Sequence, residues 1–399
     1  MTARFVQIHT LTSYPAALLN RDDAGFAKRL PFGGKTRTRI SSQCLKRHWR
    51  RAEADFSLRG LQTDGGAVPM SVRSRSSFER HVLQPLLDEG KLDRDKVEKV
   101  VEALMNKVLG ESAAAKKAKS KEGAEDEKTS AVGLTNQVTI LGEKELGFLR
   151  DEARAIAAGL DDVKNAAKAV DDRFKKEAGK NLQTMKLGAG LDAALFGRMV
   201  TSDILARCDA AVHVAHAFTV HSEESEPDYF SAMDDIQQER GEIGSGHINT
   251  SELTSGLYYS YVVVDVPLLL KNLGGDAELA AGVLERLVQL IAKISPGAKL
   301  GSTAPHAYAH CVLVETGRDQ PRTLANAFLE PVFADGQLIG RTYERLAEHL
   351  EELDGAYGRT TVRRALALGK KEKLQQRVDQ FGSLADLASF AAGAARAET

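Results

Sequence analysis

The stretch LYYSYVVVDV at residues 257–266, followed at 277–294 by AELAAGVLERLVQLIAKI, decides the fold class. The first segment is rich in Tyr and Val, side chains that fit a pleated sheet, and reads as a strand. The second reads as a helix, with Asp276 placed to cap its start and Pro296-Gly297 to stop it. A further strand is expected over Ala307–Glu315, and an earlier one over Ala211–Val220. At the N-terminus, Arg4 to Leu11 suits a half-buried strand, with Phe5, Val6 and Ile8 supplying its apolar surface.

Strands separated by helices at this spacing point to an α+β core of ferredoxin-like type. Residues from about 60 to 185 have a different, helical texture. Val97, Val101, Leu104 and Val108 form one stripe closed by Gly110, and Leu146, Leu149, Ala153 and Ile156 form another. Between them, Glu111–Thr129 is a run of Ala, Lys, Glu and Ser that lacks the apolar surface to offset ordering entropy, and a mobile loop is expected there. This block reads as an insertion into the core. Leu346, Leu350 and Leu353 place another helix near the C-terminus.

Composition excludes several classes. The chain has 399 residues, 43% hydrophobic and 27% charged, with a net charge of −1, so any affinity for a polyanion must be local. Cys44, Cys208 and Cys311 are odd in number and widely spaced, which argues against a disulfide framework and suits a reducing cytoplasm. No apolar run approaches the ~18 residues of a membrane span, and no signal pattern opens the chain.

The local charge lies at 28–51. Lys28, Arg29, Lys35, Arg37, Arg39, Lys46, Arg47, Arg50 and Arg51 fall there without an intervening Asp or Glu. Ser41 or Ser42 caps a helix whose Leu45, Trp49, Ala52 and Phe56 form an apolar face, so its cations lie away from the packing side. Gly33-Gly34 and the capped helix start would offer backbone N–H groups to an anion. Sequence-tolerant phosphate or nucleic-acid binding is expected. Gly33-Gly34-Lys35-Thr36 is not a Walker A loop, because the glycine required five positions before Gly34 is Arg29.

Other chemistry is poorly supported. His213 and His216 have opposite parity on a strand and cannot share a metal without a bulge, and His221 adds no telling spacing. Asp22-Asp23 and Asp234-Asp235 could hold Mg²⁺, but adjacent acids also cap turns. No cofactor and no metal are expected. Between His221 and Leu257 lie about 35 residues carrying Glu223, Glu224, Glu226, Tyr229-Phe230 and a glycine-rich stretch, Gly241 to Gly246. A connection of that length is usually functional or disordered, and its apolar residues suit insertion into a partner.

Several short segments together resemble the CasC family, the backbone subunit of the type I-E CRISPR Cascade surveillance complex. They are Asn20-Arg21-Asp22-Asp23, Phe32-Gly33-Gly34-Lys35, Arg39-Ile40-Ser41-Ser42-Gln43 with Leu45-Lys46-Arg47, Gly197-Arg198-Met199 with Thr201-Ser202, and Ala215-His216-Ala217. Further on come Asp234-Asp235, Ser255-Gly256, Asn272-Leu273-Gly274-Gly275, Pro296-Gly297-Ala298-Lys299 and Ala325-Asn326-Ala327-Phe328. The order and spacing of these segments span nearly the whole chain, whereas residues 60–185 match weakly.

The resemblance implies an RRM-like (ferredoxin-like) palm at 1–60 and 186–399. It also implies a helical fingers insertion at 61–185, and a long thumb hairpin at 222–256. Such a subunit polymerises along the CRISPR guide RNA (crRNA) beside other Cascade subunits, and displaces bases at intervals so that the rest can pair with target DNA. It implies RNA contacts by Arg21, Lys28, Lys35, Arg39, Ser41, Gln43, Lys46, Arg47, Arg50 and Met199, and base displacement by Tyr229, Phe230 and Ile248. A cytoplasmic ribonucleoprotein without enzymatic activity is expected. The alternative is a type III-like backbone endoribonuclease cutting target RNA with Asp22 or Asp23; a guide-processing enzyme using His216 is a weaker third.

Overall fold

The computed structural model describes residues 3–110, 132–198, 204–233 and 245–397, and the side chains of 230–233 and 245–251 are outside that description. Met199, Asp234-Asp235 and the loop expected at 111–129 lie outside the described residues, as do the side chains of Phe230 and Ile248. The chain divides into two compact units. Unit 1 comprises 1–61, 212–267 and 277–399; unit 2 comprises 62–211 and 268–276.

Unit 1 is built on a ten-stranded, mostly antiparallel sheet. Its strands are β1 (Phe5–Ala17), β2 (Arg29–Phe32), β3 (Lys35–Ile40), β4 (Val212–Val214), β5 (Ala217–Thr219), β6 (Ser225–Met233), β7 (Ser245–Asp265), β8 (Cys311–Gly317), β9 (Val362–Ala367) and β10 (Gln380–Phe381). The main order is β10-β9-β8-β1-β7-β5-β3-β2, with β4 and β6 also paired to β7. Its longer helices are α1 (Ser42–Arg51), α2 (Ala277–Lys293), α3 (Leu338–Tyr357) and α4 (Leu384–Arg396).

β1 lies between β7 and β8, antiparallel to both. It is buried on both faces, contrary to the half-buried strand expected from its alternation. Thr10, Thr12 and Tyr14 face Leu45 and Trp49 of α1 and Ile291 of α2. Leu11, with Tyr259 and Leu313 of the flanking strands, packs instead against Tyr343, Leu346 and Leu350 of α3 and against Phe328. Helices cover both faces of the strand, so its polar side chains must find partners inside the protein. His9 contacts Tyr259 Oη at 2.9 Å and Glu315 Oε2 at 3.1 Å.

The strand expected over 211–220 is interrupted at Ala215-His216, giving β4 and β5, both laid along β7. The connection expected at 222–256 is a long hairpin. β6 pairs with the first half of β7 from Ser225↔Thr254 to Met233↔Ser245, and Tyr229 stands opposite Thr250. The second half of β7 pairs with β1, so the hairpin grows directly out of a central strand.

Unit 2 packs helices Arg94–Leu109, Glu143–Ala158, Ala166–Lys175 and Glu177–Thr184 around one apolar core. Both helical stripes read from the sequence face that core. Asp93 caps the first helix by accepting from Lys96 N at 3.0 Å, and Gly110 closes it with a φ of 90°. Among the described residues, no helix is long and apolar enough to cross a membrane.

Candidate nucleic-acid interface

The basic segment runs through β2, β3 and α1, and local hydrogen bonds explain its course. Gly33 (φ 61°) and Gly34 (φ 74°) are the two central residues of the β2–β3 hairpin, both left-handed as a type I′ turn requires. A Cβ on Gly33 would lie 1.5 Å from the Leu329 carbonyl oxygen. The glycine pair is therefore a turn docked against the 325–329 segment, and not the anion-cradling nest expected from the sequence.

Asn20 then fastens the start of α1. Its Oδ1 accepts from Ser41 N at 2.9 Å, and its carbonyl accepts from Lys28 N at 2.9 Å. Arg39 N donates to Lys28 O at 2.8 Å. Ser41, buried, caps α1 by accepting from Cys44 N at 3.3 Å. These bonds gather Asn20-Arg21, Lys28 and Arg39–Ser41 at one end of α1. Lys35 is left at the hairpin tip, roughly 13 Å along the strand from Arg39.

The nine cations divide once folded. Arg37 is fully buried, donating to Thr219 O and Phe328 O at 2.9 Å and to His221 O and Leu329 O at 3.4 Å. Arg29 pairs with Glu223 and Glu252 at the base of the β6–β7 hairpin. The charge of Arg29 is matched by carboxylates and that of Arg37 is enclosed. Arg39 remains at the edge, donating from Nη1 to His216 Nδ1 at 2.9 Å, which fixes that imidazole as the neutral tautomer with its proton on Nε2. Burial lowers the His216 pKa, and the positive charges of Arg39, Lys28 and Lys46 lower it further. Arg47 and Lys28 act in the same sense on the Cys44 thiol, whose pKa burial nonetheless raises. On α1 itself, Gln43, Lys46, Arg47 and Arg50 follow one another at spacings of three, one and three. They share the face away from buried Leu45 and Trp49.

The other candidates have local duties. Asp22 Oδ1 accepts from Ala24 N and Phe26 N, both at 3.0 Å, and so closes the turn between Arg21 and Ala27; Asp23 is exposed beside it. His221 donates from Nδ1 to Ser222 O at 2.7 Å and accepts from Leu257 N at 3.2 Å, a structural role, while His213 is exposed. Among the described residues, no three His, Cys, Asp or Glu gather as a metal site. Tyr229 is 65% exposed on β6. In unit 2, Arg198 anchors the segment leading to Met199: it donates to Glu145 Oε2 at 2.5 Å and Ala206 O at 2.6 Å, and its N–H reaches Cys208 O at 2.8 Å. The Arg198–Glu145 pair and the His216 cluster were both missed by sequence reasoning. Their partners lie 53 and 177 residues apart, beyond any local periodicity.

What this edge can do follows from Coulomb's law. Like charges gathered at a sheet edge repel one another, and a polyanion laid across them relieves that repulsion while releasing its own counterions. The fold is thus that of a mixed α+β protein with a cationic edge at α1. The family model for CT1975-like Cas proteins matches residues 6–390, and the chain belongs to that family. No curated protein matches the sequence. Among solved structures, a chain of a "CRISPR RNA-guided surveillance complex, pre-nicking" is 27% identical, with a TM-score of 0.76 over 98% of this chain and 100% of that one. A chain of a "CRISPR RNA-guided surveillance complex" is 23% identical, with a TM-score of 0.66 over 98% and 99%, a likeness of fold.

Proposed function

We propose that this protein is a structural subunit of a CRISPR RNA-guided complex that grips guide RNA by its phosphate backbone. The observation that carries this reading is the cationic edge, where hydrogen bonds through Asn20 hold Lys28 and Arg39 beside the start of α1, whose outer face carries Gln43, Lys46, Arg47 and Arg50. Family membership and the complexes named for the two similar structures support it. A subunit that accepts any guide must hold phosphate and sugar, not base edges, and Arg, Lys and Gln side chains supply that chemistry. The finer reading is a type I-E backbone subunit in the cytoplasm. Copies of it polymerise along the guide RNA, with the β6–β7 hairpin displacing bases so that the rest pair with target DNA.

An RRM-like core is supported by the order β8-β1-β7-β5, with α1 between the first two strands of the chain order and α2 between the last two. RNA held by such a sheet commonly stacks on its aromatic face. Here Phe218 and Phe328 each pack at a steep angle against Tyr259 beneath α3, which covers that face, so the grip belongs at the edge. Gripping rather than cutting is favoured because Asp22 is committed to its turn.

The test is a salt series. Lys46→Ala combined with Arg50→Ala should weaken binding to unrelated guide RNAs alike, and reduce the slope of log K against log salt by about 1.4. An unchanged affinity and slope would reduce α1 to a solvated face. Complementary RNA incubated with the assembled complex and Mg²⁺ should stay intact; cleavage abolished by Asp22→Ala or Asp23→Ala would make the subunit an endoribonuclease.

A further inference from the structure

On the sheet face opposite α1, unit 1 holds a cavity of about 650 Å³, within the usual range for small-ligand sites. Its floor is a buried ionic network. Glu315 accepts from Arg322 at 2.8 and 2.9 Å and from Arg363 Nε at 2.7 Å, and Arg363 forks onto Asp354 at 2.6 Å twice. At the mouth, Arg359 pairs with Asp379 at 2.5 Å. Each guanidinium lining the cavity thus has its carboxylate. The floor is polar but electrically balanced, which disfavours a phosphate as occupant and suits an uncharged polar one.

One group in that lining is unspent. Gln7, on β1, is 2% exposed. Its Oε1 accepts from Tyr261 Oη at 2.6 Å and from Arg322 N at 2.9 Å, so two donors fix which end of the amide is oxygen. Among the described residues Nε2 has no hydrogen-bond partner, and Gln7 lines the cavity, so this donor is open to an acceptor placed there. At the mouth stand the Tyr357 ring, 83% exposed, and the amide of Asn326. A polar donor at the bottom, an amide at the side and an aromatic ring at the rim match a flat heterocycle with hydrogen-bonding edges.

We infer that this cavity takes a nucleobase, an acceptor atom of the base meeting Gln7 Nε2 and its ring lying against Tyr357. The base could come from a free nucleoside or from single-stranded RNA, and only the second source rests on the RNA-gripping reading above.

Two measurements on the full-length chain decide it. Equilibrium dialysis with labelled adenosine and uridine tests the cavity without RNA. Irradiation with single-stranded RNA carrying 4-thiouridine, followed by peptide mapping, tests the strand. Nucleoside binding should fall about tenfold or more in Tyr357→Ala and Asn326→Ala, both exposed positions where folding is not at stake. Gln7→Glu keeps the acceptor for Tyr261 and Arg322 while turning the free donor into an acceptor, and should lose binding as well. Crosslinks at 319–326 or 353–361 assign the base to RNA; nucleoside binding without them assigns it to a free nucleoside. Absence of both overturns the inference, as does a Tyr357→Ala effect confined to self-association. If the chain binds no RNA at all, the gripping function fails while the dialysis still decides the cavity.

Discussion

Arg37 is a buried cation answered by four backbone carbonyls and, among the described residues, by no carboxylate of the kind that steadies Arg363. Its planar fork reaches carbonyls of two separate segments, 219–221 and 328–329. A lysine offers a point charge at one place and cannot span both. Arg37→Lys should therefore destabilise the protein by about 3 kcal/mol, read from denaturant midpoints, while leaving the salt dependence of RNA binding unchanged. Equal loss in the salt slope would return Arg37 to the phosphate-binding set in which its sequence position placed it. Two residues on, Arg39 keeps its charge at the edge because its partners are the Arg29 carbonyl and a neutral imidazole. Nothing in the run Lys35-Thr-Arg-Thr-Arg distinguishes the two arginines; the neighbours supplied by β5 and by 325–329 do.

At the scale of elements, the β2–β3 hairpin and α1 form one device. The turn fixes the register of Arg29↔Thr38 through Phe32↔Lys35, and the strand delivers Ser41 as the cap of α1. Gly33 and Gly34 separate two requirements. Both have positive φ, but only Gly33 abuts a backbone oxygen, whereas Gly34 faces open space. Gly34→Ala should cost about 1 kcal/mol, the strain of a left-handed Ala, and Gly33→Ala at least twice that, both measured by thermal or urea unfolding. Equal costs would mean the hairpin tip is not docked on Leu329. The helical stripes of unit 2 and the strand–helix–strand series of unit 1 were legible because periods of 3.6 and 2 are written locally. The burial of β1 on both faces was not, since Gln7 and His9 mimic the polar side of a half-buried strand.

For the molecule as a whole, buried charge sets how stability responds to pH. Burial lowers the His9 pKa below its ordinary value despite the hydrogen bond to Glu315, so the unfolded chain binds this proton more readily than the native one. Between the folded pKa and about 6.5, stability therefore rises with pH. Burial alone would raise the Glu315 carboxyl, but hydrogen bonds from His9 and Arg322 hold it well below the usual range. Its contribution is present above about 4.5 and lost as pH falls toward the folded pKa. Both groups act in one direction. The melting temperature should decline steadily from pH 7 to pH 4, and His9→Gln should flatten the part between pH 5 and 6.5. A melting temperature constant over that range would mean the network is not protonated differently in the two states.

The sequence by itself determined the mixed α+β class, the helical stripes, the concentration of positive charge at 28–51 and the exclusion of a Walker A loop. Each rests on residue types and spacings within a few turns of chain. Tertiary structure decided which of those cations kept their charge at the surface, that the glycine pair was a turn instead of a nest, and that the sheet was covered on both faces. It also gathered Lys28, Arg39 and Lys46 around His216 and, among the described residues, left the amide nitrogen of Gln7 without a partner beside a cavity. The physical reason is that desolvation and hydrogen-bond satisfaction are properties of a place, and a place is assembled from residues as far apart as Arg39 and His216.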